Sequence, residues 1–81
     1  VTGTPIFKKR LKKVPQTVQR LWHSQAPIVG SLDEHTLNMS KHMGGWRLLW
    51  LCEEYCAAYL EIDGENIWVD ICHKDSLPLI L

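Results

Sequence analysis

The sequence predicts a small α+β domain in which an N-terminal helical hairpin packs on a three- to four-stranded antiparallel sheet. Apolar residues recur at helical spacing through residues 6–25, and an Asp-Gly pair divides two β-rich runs near the end. A chain of 81 residues also has room for only one modest core. Residues 1–81 are therefore read as a single domain.

Residues 1–6 are short and broken by Gly3 and Pro5, so they form at most a clipped edge strand. Residues 7–13 follow as a basic amphipathic helix. Ile6, Arg10 and Val14 fall on one side, Phe7 and Leu11 on the next, and lysines fill the remainder. Pro15 stands where a second helix can open, because its missing N–H is redundant in a first turn. Val18, Leu21, Trp22 and Gln25 would share one stripe of that helix, which Pro27 and Gly30 end. Residues 31–45, rich in Ser, Asp, Asn and Gly, read as a connecting loop with a helical turn near 33–37.

From Trp46 onward the texture becomes aromatic and aliphatic in three short runs, predicting three strands up to about residue 74. The Asp63-Gly64 pair supplies the two positive-φ positions of a tight hairpin turn, which makes residues 55–62 and 66–72 antiparallel neighbours. Simple alternation then sends Ile67, Val69 and Ile71 to the core and Trp68, Asp70 and Cys72 to the other face. The four tryptophans are core material by size, with Trp50 the one that would face a groove.

The formal net charge of zero hides an asymmetry. Residues 1–47 carry eight Lys and Arg against Asp33 and Glu34, whereas the remainder carries seven Asp and Glu against Lys74 alone. A two-faced molecule of this kind can hold a polyanion on its basic side by counterion release, although solubilising charge is the plainer alternative. Three cysteines without a secretory signal point to a reducing cytosol. The longest apolar stretch, interrupted by Arg47, Glu53 and Glu54, is too short and too charged for a membrane helix. Cys52, Cys56, Cys72 and His73 lack the tight knuckle spacing of structural zinc motifs, so no metal is expected and the thiols read as small hydrophobes.

The order of pieces resembles the RelE/ParE superfamily of toxins. The resemblance is carried by the basic run Phe7-Lys8-Lys9-Arg10-Leu11-Lys12-Lys13-Val14-Pro15, by His35 and Leu37 in the loop, and by Gly45-Trp46-Arg47-Leu48 opening a strand. Tyr55, Tyr59, Leu60, Glu61, Ile62, Asp63 and Gly64 follow, and Ile71, Cys72, His73, Lys74 and Asp75 close it. It implies a cytoplasmic type II toxin, needing no cofactor and neutralised by a cognate antitoxin. Many members cut messenger RNA, some only on the ribosome, while the ParE branch poisons DNA gyrase. Fold does not choose between them.

For metal-free RNA cleavage the resemblance implicates His73 as general acid or base, Arg47 on the scissile or a flanking phosphate, and Lys74 as a neighbouring cation. Lys8, Lys9, Lys12, Lys13 and Arg20 would attach the polyanion or the ribosome. Tyr55 would stack on a base, with Lys41 and His42 from the loop supplementing the set. Each also has an ordinary reading as a solvated charge or a packed tyrosine. The chain departs from the family pattern at Leu49, Cys56 and Leu77, the first two replacing basic residues and the last an aromatic. A ribonuclease of this design needs Arg47 and His73 on a shared concave rim. The rivals are a gyrase inhibitor, a catalytically inert RelE-like binding module, and an SH3-like barrel, which the preceding helices disfavour.

Overall fold

The computed structural model describes residues 2–41 and 46–76. Strand β1 (Thr2–Gly3) leads into helices α1 (Pro5–Leu11) and α2 (Gln16–Gln25), and a 3-10 turn at Ala26–Ile28 extends α2. After a second 3-10 turn at Glu34–Thr36 come β2 (Met39–Lys41), β3 (Arg47–Trp50), β4 (Tyr55–Ile62) and β5 (Glu65–His73). The sheet order is β1-β5-β4-β3-β2, antiparallel throughout except that β1 runs parallel to β5. The helical hairpin and its antiparallel sheet are those the sequence predicts, enlarged by strands at both edges.

Helix α1 starts where Thr4 Oγ1 accepts the N–H of Phe7 at 3.2 Å and Pro5 fills the first turn. It stops at Leu11, two residues short of expectation, ahead of Val14, for which the following Pro15 disfavours a helical conformation. Pro15 caps α2 rather than sitting inside it. Phe7, Val18 and Trp22 are the buried residues of the hairpin, whereas Ile6, placed on an apolar side by spacing alone, is 62% exposed. Gly3 lies so close to α1 that a Cβ there would fall 2.9 Å from the Phe7 ring. No helix among the described residues is long and apolar enough to cross a membrane.

Two expectations are corrected. Residues 31–45 are not only loop, since they contain β2, held by the Trp50 N–H bond to Asn38 O at 2.8 Å and by Trp50 Nε1–H to Ser40 Oγ at 3.1 Å. The second correction concerns β5. The turn does form, with Asp63 at φ 52° and Gly64 at φ 80° between paired Ile62 and Glu65. Beyond it, Tyr59 faces Trp68 but Ala58 faces Asp70, so Val69 is the extra residue of a β-bulge. The bulge breaks the alternation. Trp68 and Ile71, not Val69, share the helix-covered core with Phe7, Trp22, Leu49, Ala57 and Tyr59. Val69 instead joins Leu48, Cys56, Ala58, Cys72, Trp46 and Trp50 in a second cluster on the opposite face.

Candidate functional site

The bulge decides what meets His73. With the register shifted by one residue, Tyr55 stands opposite His73 and their rings meet edge-on, centroids 5.2 Å apart at 87°. The Lys74 N–H donates to Glu54 O at 2.7 Å, which ties the tail to the turn before β4. His73 thereby lies between two carboxylates, with Glu54 Oε2 4.0 Å from Nε2 and Asp75 Oδ2 3.4 Å from Nδ1. The Asp75 N–H donates to Nδ1 at 3.2 Å, which places the proton of the neutral ring on Nε2. On protonation Nδ1 becomes a donor and exchanges that amide for the Asp75 carboxylate. Lys74 is exposed beside it. Tyr55 is half-buried against the core, so packing and contact with His73 occupy much of its ring.

Arg47 lies elsewhere. It pairs with Tyr59, four residues along β4 from Tyr55, and one strand further from β5. At about 3.3 Å per residue and 4.8 Å per strand the Arg47 and His73 backbones are roughly 16 Å apart. Both residues belong by register to the helix-covered face, at opposite ends of the sheet, and the shared rim is not formed. Arg47 instead lines an open cavity of about 420 Å³ with Glu34, His35, Leu37, Met39 and Ser40. Burial pushes the Tyr59 hydroxyl above its ordinary value and Glu34 adds to this, while the Arg47 guanidinium opposes both. Glu34 is itself held by the Gly30 N–H, 3.1 Å from Oε1.

Lys8 and Lys9 on α1, Lys12 and Lys13 in the turn after it, and Arg20 on α2 are exposed. Arg10 is engaged with Asp70 at 2.5 Å. That bond fixes the end of α1 three residues along β5 from His73, roughly 10 Å along the backbone, with Asp70 on the sheet face of Cys72 and His73 on the other. Lys41 stands opposite Arg47 in register. His42 and Leu77 lie outside the described residues. Leu49 and Cys56 have no exposed surface, so a basic side chain at either position of this fold would be buried among apolar groups. Cys56 and Cys72 occupy the face away from His73, and among the described residues no three His, Cys, Asp or Glu side chains converge on a metal position.

No family model and no curated protein matches the chain. Among solved structures it is similar to a chain of the RelB–RelE antitoxin–toxin complex from Methanococcus jannaschii. The TM-score is 0.76 at 20% identity, over 96% of this chain and 95% of that one. The chain has a RelE-like fold. On this RelE-like frame His73 and the basic helix are candidates that sequence names, whereas Glu54, Asp75, Tyr59 and Glu34 acquire no site role from it. Glu54 and Asp75 are adjacent in sequence to Tyr55 and Lys74, so the hairpin alone brings them near His73, but their final partners depend on the bulge.

Proposed function

We propose that the protein is a cytoplasmic type II toxin that cleaves messenger RNA, alone or on the ribosome, and is silenced by a cognate antitoxin. The observation that carries this reading is His73, held between Glu54 and Asp75 with Lys74 beside it, at the end of β5 nearest the basic helix of a RelE-like fold. His73 serves as the general acid in its imidazolium form, with Nδ1–H turned to the Asp75 carboxylate 3.4 Å away, and it becomes the neutral ring on delivering the Nε2 proton to the leaving 5′-oxygen. Lys74 balances the charge of the phosphorane, and Lys8, Lys9, Lys12, Lys13 and Arg20 hold the incoming strand. Tyr55 steers the histidine and offers its free edge to a base. Arg47, with Lys41 opposite it, keeps only a flanking-phosphate role, more than one nucleotide from the scissile bond.

A second reading is a toxin that acts by binding, such as a gyrase inhibitor or an inert RelE-like module. It is favoured by the separation of Arg47 from His73 and by the burial of Leu49 and Cys56. The two separate on purified protein given translating ribosomes. Cleaved transcripts, lost by about 10²- to 10⁴-fold in His73→Ala, support the first. Intact transcripts with stalled DNA supercoiling support the second.

A further inference from the structure

We infer that Cys56 and Cys72 are a modification site, a thiol pair that closes reversibly into a cross-strand disulfide on the sheet face opposite the helices. The bulge makes the pair. Counting back from Ile62 opposite Glu65, an unbroken hairpin would set Cys56 against Ile71, and the extra residue Val69 moves Cys72 into that place. Glu54 and Lys74 are joined by a ladder hydrogen bond, so Cys56 and Cys72, two residues further in, again form a hydrogen-bonded pair. Its Cα separation is about 5.5 Å, inside the range of roughly 4.4–6.8 Å that a disulfide spans. Both side chains belong to the small cluster with Leu48, Ala58, Trp46, Trp50 and Val69, so they share one face.

The two sulfurs are not equivalent. Cys56 has no exposed surface, while Cys72 retains 8% exposure, so an oxidant reaches the Cys72 sulfur first. The neighbouring Cys56 thiol favours thiolate at Cys72 and is itself held protonated, with the Arg10 guanidinium helping Cys72 and burial and Asp70 working against it. Cys72 is thus the attacking sulfur and Cys56 the resolving one. With a hydroperoxide as oxidant, the Cys72 thiolate attacks the terminal oxygen and the O–O bond breaks. The departing oxygen takes a proton from solvent and leaves as water or an alcohol, and Cys72 becomes a sulfenic acid. The Cys56 sulfur then displaces that hydroxyl, forming the S–S bond, and its own proton leaves with the second oxygen as water. Two electrons pass from the thiols to the peroxide. The product clamps β4 to β5 one residue from Tyr55 and His73, so it stiffens the histidine end of the sheet.

The test uses the full chain carrying Cys52→Ser, because Cys52 is exposed and would otherwise react on its own account. Stoichiometric hydrogen peroxide should remove both remaining thiols, as titrated after denaturation, and give a linked peptide pair joining Cys56 to Cys72. The melting temperature should rise by several degrees and return with dithiothreitol. In Cys52→Ser with Cys56→Ala, the same treatment should leave Cys72 as a sulfenic acid that dimedone labels. Two free thiols after oxidation, a sulfinic acid at Cys72 with Cys56 still reduced, or no dimedone adduct in the second variant would each overturn the inference.

Discussion

At the scale of single residues, Asp70 shows how a charge is kept inside a small sheet. It is the one buried charged side chain among the described residues. Its oxygens take the Ile71 N–H at 2.8 Å and the Arg10 guanidinium at 2.5 Å. Arg10 is half exposed, which screens the pair and lowers its worth below that of a fully buried one. Arg10→Met should therefore cost about 1–3 kcal/mol in urea unfolding, since a buried carboxylate loses its cation. Adding Asp70→Asn should recover part of that cost, and additive losses in the double mutant would deny the coupling. Tyr59 gives a pH signature. Its folded value lies above the ordinary 10.0, chiefly through burial, so above about pH 10 the unfolded chain releases a proton that the native chain keeps. Stability from this group is complete below that pH and is lost as the pH climbs toward the folded value. Tyr59→Phe should flatten the alkaline limb of a stability profile, and an unchanged slope would assign that limb to other groups.

At the scale of elements, the β4–β5 hairpin separates what the sequence made legible from what it hid. Asp63-Gly64 announces its turn because few residues other than Gly, Asn and Asp accept two consecutive positive φ angles. A Cβ added at Gly64 meets nothing within 4 Å, so Gly64→Ala carries a backbone penalty alone. About 1–2 kcal/mol of destabilisation is expected in thermal or urea unfolding, with the sheet otherwise unaltered. The bulge at Val69 had no such marker, since Trp68-Val69-Asp70 alternates acceptably in either register. Its effect on the hairpin is systematic, since it turns Trp68 inward and changes the partner of every residue from Tyr55 to Ala58. Strand β2 was hidden for another reason. Met39-Ser40-Lys41 is too short to display a period, and its pairing comes from hydrogen bonds made by Asn38 and Trp50. Residue types alone singled out His73 and Arg47, but only the register showed that one of them stands among carboxylates and the other beside Tyr59.

At the scale of the whole molecule, the zero net charge resolves into two regions. Lys8, Lys9, Lys12, Lys13 and Arg20 are exposed on the helical hairpin, while Glu53, Glu54, Glu61, Asp63, Glu65 and Asp75 are exposed around the turns and ends of β4 and β5. His73 stands at the edge of the acidic region beside Glu54 and Asp75, so under the proposed function a polyanion would have to approach it from the basic hairpin. This polarity predicts a particular salt dependence. If the hairpin lysines contact phosphates, the logarithm of the association constant for single-stranded RNA should fall with that of salt concentration by about 0.7 per phosphate neutralised. Replacing Lys8, Lys9, Lys12 and Lys13 together by alanine should reduce that slope by up to about 3. All four are exposed, so each should alter folding stability by less than about 0.5 kcal/mol, and a weakened complex could not be ascribed to unfolding. His73→Ala serves as the internal contrast, because a group that acts on the leaving oxygen should leave the slope intact while cleavage is lost. Equal slopes for the wild type and the lysine variant would remove the helical hairpin from the RNA path, leaving its lysines as solvating charge and shifting the balance toward a toxin that acts by binding protein.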